Sequence, residues 1–296
     1  MTTKKIKYLL SKWTMKALTI AVTLIVVLMV FGLLKKSLAI LNAEPLSELL
    51  FSTSWKPFQG EFGFFPFIMG TIWVTCVALI ISIPFSLFTA IYLSEYASPR
   101  MREWVKPFID LLAGIPSVIY GVWGVLAIIP LIKNYIAPFF GVHSTGYSVL
   151  AGGIVLAIMI FPFIVNILIE VFQSIPRQMK EVSLALGATQ WETIKFVTLK
   201  KAMPGLVAVI MLGLSRAFGE TMAVLMVTGN VAKIPHSIFS PAYPLPALIA
   251  NNYGELLTIP LYDSALLFSA LLLLVVVLFF NVMSKVILRI IEKRMR

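Results

Sequence analysis

Apolar runs constrain this chain more than any other feature. Six of them occur, each closed by charges, by proline and glycine, or by a polar stretch. A helix rises about 1.5 Å per residue and a bilayer core is about 30 Å thick, so about 20 apolar residues make one crossing. The runs are Ala17–Leu34, Phe65–Leu93, Phe108–Leu131, Ser148–Phe172, Pro204–Gly229 and Leu261–Met283. Pro84 marks an expected kink in the second. Composition agrees: 59% of residues are hydrophobic and 12% are charged, against about 25% charged in a soluble domain. Too few polar side chains remain to face water on all sides. The expected fold is all-α: a polytopic membrane protein of six transmembrane helices.

The first run opens on lysines, as a signal peptide does. No small-x-small cleavage site follows it, and Lys35-Lys36 closes it. It reads as an uncleaved signal-anchor helix. Residues 1–63 are thus an anchor helix with a first outside loop, and 64–296 a helical core.

Basic residues set the expected orientation. Eighteen lie on one side, in the N-terminal segment, around Arg100–Lys106, around Arg177–Lys201 and at the C-terminus. Five lie on the other: Lys35, Lys36, Lys56, Lys133 and Lys233. Both termini are therefore expected in the cytoplasm. This asymmetry also accounts for the formal net charge of +11, with membrane lipid rather than nucleic acid as the partner. Cys76 is the sole cysteine and sits in an apolar run, so neither an intrachain disulfide nor a cysteine metal cluster is possible. His143 and His236 read as loop histidines, and no cofactor is expected. The outside segment 230–260, with five prolines, reads as an ordered cap containing a short helix near Pro246–Leu257.

Residues 173–203 form the largest expected inside segment. Pro176 suits a helix start. Gly187 suits a helix end. Thr189-Gln190-Trp191-Glu192 matches a capping box that opens a second short helix. Trp191, Ile194 and Val197 then make an apolar stripe. Such a stripe packs either on the protein's own bundle or against a partner.

Arg216 and Glu220 interrupt the fifth run. An ionised side chain at the bilayer centre costs about 2.5–3.5 kcal/mol on insertion scales. The i, i+4 spacing places both on one helix face. Two readings stand: an ion pair that locks the bundle, or an anion contact in which the arginine fork meets oxygens and the carboxylate tunes it. In the third run, Ser117 and Tyr120 follow Pro116 among small residues. They face either a neighbouring helix or a polar path.

Glu181-Val182-Ser183, Gly187, and Val197 and Leu199 resemble the EAA loop of ABC importer permeases, with Lys200 where that motif has proline. "IYLSEYASPR" (91–100), "LLAGIPSVIYGVWG" (111–124), "ATQW" (188–191) and "LGLSRAFGETMAVLMVTGN" (212–230) extend the likeness from about Gly63 to the C-terminus. Together they resemble the PstC-type permease family of phosphate importers.

The resemblance implies a type I importer permease. Glu181, Gly187, Ala188, Trp191 and Leu199 would couple it to ATPase subunits, and Arg216, Glu220, Thr221, Ser117 and Tyr120 would serve translocation. Implied partners are a PstA-type second permease, two ATPase subunits, and a periplasmic or lipid-anchored phosphate-binding protein. No G-x-x-x-x-G-K-[ST] phosphate loop is present, so ATP hydrolysis is expected in another chain and this one is not expected to be an enzyme. A self-sufficient secondary transporter, a membrane scaffold, and a permease for sulfate or molybdate are the alternatives.

Overall fold

The computed structural model describes residues 3–255 and 259–295. Six of its helices are long and apolar enough to cross a membrane: Ser11–Ala43, Phe65–Tyr96, Ser117–Phe139, Val149–Gln173, Gln190–Phe218 and Tyr262–Ile287. They are called the first to sixth spans here.

The second and fourth spans form the centre of the bundle and make its most extensive pairing. Glycine makes that approach possible. A Cβ on Gly153 would sit 2.3 Å from Val77 Cγ1, and one on Gly152 would sit 2.7 Å from Thr228 Cγ2. Ser148 opens the fourth span, its hydroxyl accepting from the Ala151 N–H at 3.2 Å, as N-cap serines do. Val74, Ala78, Val155, Leu156, Ile160 and Ile164 are buried where these spans meet the third and fifth.

Prolines 84, 107, 162 and 204 all lie inside continuous helices. The second span is continuous through Pro84, the position of the expected kink, and ends in a π-helical turn, Tyr92–Tyr96. Three further π-helical stretches occur among the described residues: Gly124–Ile128 and Ile132–Ile136 in the third span, and Thr193–Thr198 near the start of the fifth.

The apolar run Phe108–Leu131 is not one helix. An amphipathic helix, Pro99–Gly114, stops at Ile115-Pro116, and the third span begins at Ser117. Leu112 keeps its carbonyl partner all the same. Tyr120 Oη donates to it at 2.7 Å, where a non-proline residue at 116 would have offered its N–H.

The side opposite the basic loops carries an ordered cap. A two-residue hairpin pairs Trp55 with Phe62 and Lys56 with Glu61. Trp55 packs edge-on against Phe62, Phe64 and Phe67. A short helix, Leu245–Asn252, buries Leu245, Ala247 and Leu248 against the second and sixth spans. Its first N–H donates to Thr71 Oγ1 at 2.9 Å. The sequence expectation placed this helix at Pro246–Leu257, and its last part falls outside the described residues.

The first span is joined to the sixth near this cap. Ser264 Oγ donates to the Lys36 carbonyl at 2.7 Å and accepts from the Ile40 N–H at 3.1 Å. The apolar window of the first span buries no residue in this chain.

Candidate translocation site and coupling loop

The run expected as one helix from Pro204 to Gly229 is broken between its two charges. The fifth span ends at Phe218, residues 219–221 are non-helical, and a short helix follows at Met222–Val227. Arg216 lies in the last turn of the span, and Glu220 lies past its end. The two are thus not an i, i+4 pair on one helix face. Among the described residues no salt bridge joins them.

Each charge has its own setting. The Arg216 guanidinium lies over the Phe163 ring, 4.7 Å from its centroid, an arrangement that attracts a cation to the ring face. Its side chain is exposed on this chain's surface. Its place at a helix C-terminus suits a cation. Glu220 turns the other way. Its Oε1 accepts from the Ala223 N–H at 3.2 Å and so satisfies one of the free amides that open the short helix. A small crevice gathers Glu220 with Thr71 and Thr75 of the second span, Phe218, Val224 and Pro244. Thr221 Oγ1 donates to the Gly219 carbonyl at 3.3 Å within the break.

The third span holds this break in position. A Cβ on Gly121 would fall 2.6 Å from Met226 Sδ and 3.2 Å from Ala223 Cα, so the bare glycine lets the short helix close in. Gly124 does the same toward Val227 and Val155. Beyond the short helix, Thr145, Tyr147, Met226, Gly229, Asn230 and Pro241 line an open cavity on the cap side. Gly229 and Asn230 both take positive φ, 86° and 53°, a conformation that glycine and asparagine tolerate best.

On the basic side, a loop helix covers Arg177–Ala185. Gly187 follows with φ 89°, the left-handed turn expected of a helix-ending glycine. Thr189 and Glu192 form the capping box: the Thr189 N–H donates to Glu192 Oε2 at 2.8 Å, and the Glu192 N–H to Thr189 Oγ1 at 3.3 Å. The helix that this box opens is not short. It runs on through Leu199, Lys200 and Pro204 as the fifth span itself. The expected stripe is split. Ile194 is buried, Val197 is half-buried and Trp191 is 52% exposed; on the preceding loop, Val182 and Leu186 are also exposed, at 60% and 84%. The loop helix is tied inward by Lys180, whose Nζ lies 2.6 Å from Glu95 Oε1.

Comparison with known proteins adds the family. Residues 82–296 match the model of the "binding-protein-dependent transport system inner membrane component" family. The phosphate transport system permease protein PstC of Xylella fastidiosa (strain 9a5c) is 38% identical, covering 81% of this chain and 78% of that protein. PstC of Haemophilus influenzae is 36% identical over 97% of both chains. The chain belongs to this permease family, in its PstC branch.

Solved structures agree on architecture. A chain of a bacterial alginate ABC transporter superposes with TM-score 0.65 at 19% identity, covering 96% of this chain and 97% of that one. The MetNI methionine transporter gives 0.58 at 22%, covering 75% and 93%. The permease is thus a multi-pass inner-membrane protein with the type I ABC importer fold.

Of the residues expected at the site, the structure brings Glu220 and Thr221 into the break and sets Arg216 one turn before it. Tyr120 is buried, and its hydroxyl is occupied by Leu112. Ser117 is half-buried at the start of the third span. Among the described residues no hydrogen bond links either one to Arg216, Glu220 or Thr221. Sequence reasoning missed Phe163, Thr71 and Thr75. They lie in apolar runs on other helices, and nothing in spacing alone points from them to Arg216 or Glu220. Glu95 was also passed over as a functional residue, although an acidic residue at the end of a membrane span is a visible signal.

Proposed function

We propose that this chain is one of two permease subunits of an ATP-driven phosphate importer, with Arg216 contacting the anion during passage. One observation carries this reading: Arg216 keeps a guanidinium on the chain's surface within a membrane span, with no carboxylate at salt-bridge distance among the described residues. A charge so placed costs about 2.5–3.5 kcal/mol to insert. Its planar fork of five donors matches phosphate oxygens. The Phe163 ring holds the cation without occupying those donors. Glu220, from its crevice, sets the local charge and can accept a proton from protonated phosphate. The PstC names of the relatives support phosphate as the cargo.

The permease pairs with a PstA-type subunit, two ATPase subunits bind the basic side, and a phosphate-binding protein docks at the cap. The basic-residue asymmetry puts the termini and residues 173–203 in the cytoplasm. Val182, Leu186 and Trp191 then present an uncovered apolar surface to the ATPases, with Glu181, Gly187, Ala188 and Leu199 shaping the loop. Hydrolysis belongs to those partners, and this chain is not itself an enzyme.

Arg216→Gln is the direct test. Uptake of labelled phosphate by the reconstituted complex falls at least about a hundredfold while assembly is unchanged, and Arg216→Lys, which keeps charge without the fork, retains a fraction. Full transport by Arg216→Gln removes the anion contact from the mechanism. Equal competition by sulfate would reassign the cargo to oxyanions in general.

A further inference from the structure

We infer that Glu95 is the residue through which the coupling loop moves the second span, a positioning role that rests on the importer reading above. Glu95 sits in the π-helical turn Tyr92–Tyr96 at the basic end of that span. Two elements of the coupling loop hold it at once. Lys180 of the loop helix meets its carboxylate at 2.6 Å, with the two side chains 20% and 9% exposed. Gln190, the first residue of the fifth-span helix, donates from Nε2 to the Glu95 carbonyl at 2.9 Å. Arg102 holds the same turn from its other flank, donating from Nε to the Leu93 carbonyl at 2.8 Å and from Nη2 to the Ser94 carbonyl at 3.0 Å.

The last carbonyls of a helix have no intrahelical donor. Here three successive ones, on Leu93, Ser94 and Glu95, are taken by side chains from outside the span, and one of those belongs to the coupling loop. A span end fixed in this way cannot slide past the loop without breaking a largely buried ion pair, which leaves a stranded charge. The second span is therefore carried with the loop.

Lys180 and the exposed Val182 stand two positions apart on a helix, which places them on different faces. Force arriving at the apolar face leaves through the lysine. The far end of the same span carries Thr71 and Thr75, which share a crevice with Glu220. One continuous helix thus runs from the coupling loop to the break. Two of the four π-helical stretches among the described residues, Tyr92–Tyr96 and Thr193–Thr198, flank the joint.

The test measures phosphate uptake and ATP hydrolysis side by side in the full reconstituted complex. Glu95→Gln and Lys180→Met each lower phosphate imported per ATP hydrolysed by about fivefold or more, with hydrolysis still measurable. The exchanged pair, Glu95→Lys with Lys180→Glu, regains at least half of the ratio. Gln190→Ala, which leaves the ion pair intact, gives a smaller fall in the same direction and serves if the charge variants assemble poorly. A ratio within twofold of wild type in Gln190→Ala and in every charge variant that assembles overturns the inference, and so does failure of an assembled exchanged pair to recover. A second readout needs no cargo. Spin labels at Ala97→Cys and Gln178→Cys, the latter an exposed polar position on the loop helix, in a Cys76→Ser background, keep a constant separation through the ATP cycle in the otherwise wild-type chain and separate in Glu95→Gln. Labels that move apart in the wild-type background sink the inference whatever the anion. A wild-type complex that hydrolyses ATP but imports no phosphate overturns the importer reading instead, and the spin-label result still decides the role of Glu95.

Discussion

Pro116 removes one N–H from the polypeptide, and Tyr120 supplies a hydroxyl in its place. That exchange assigns Tyr120 to architecture. Its Oη and the Ile115 N–H, at 3.3 Å, are the donors to the Leu112 carbonyl. Tyr120→Phe leaves only the longer bond. A lost buried hydrogen bond costs about 1–2 kcal/mol. The apparent melting temperature of the purified complex therefore falls by a few degrees, while phosphate affinity stays unchanged. A melting temperature equal to wild type would show that the hydroxyl does not support the start of the third span. At this scale the charges themselves were legible. Arg216 and Glu220 stand out in an apolar run because insertion makes them costly. Their partners were not legible, because Phe163 and Thr71 become neighbours only when the fourth and second spans pack.

At the level of elements, hydropathy located all six crossings and misjudged where helices stop. It measures transfer to lipid, and it is blind to the hydrogen-bond ladder. Four prolines sit inside unbroken helices, whereas the break at residues 219–221 contains no proline at all. Residues 219–221 open because Glu220 caps the next helix and the third span presses against that helix at Gly121. Capping boxes are local, and the one at Thr189 was read correctly. Its helix is expected from sequence to stay short, within residues 173–203, because the apolar run begins only at Pro204; the helix instead continues through Lys200 and Lys201, whose apolar stems can lie along it while their charged heads reach water or headgroups. Gly121→Val tests the packing argument. The added methyls meet the Ala223 backbone and Met226, so the short helix moves outward. Overpacking of this kind costs about 1–3 kcal/mol, and uptake drops with it. A fully active Gly121→Val complex would mean that close packing here is dispensable.

Taken as a whole molecule, the chain is fastened unevenly. The second to fifth spans share a continuous core, while the first touches the rest mainly through Leu33–Leu41 and the residues around Ser264. Leu18, Val22 and Ile25 remain more than half exposed, at 67%, 62% and 63%. A probe at Val22→Cys, in a Cys76→Ser background, reports what lies against that surface. An apolar maleimide should label it readily in the isolated chain and several-fold more slowly once the second permease is bound. Equal labelling rates would leave lipid as the neighbour in both cases. The fastening has a mechanical corollary. A rod pinned at one end turns about that point, so a companion subunit seated on the free half of the first helix would carry that half through its stroke while the root stays fixed in the cap. Contact with a moving neighbour would then not require the core of the permease to bend.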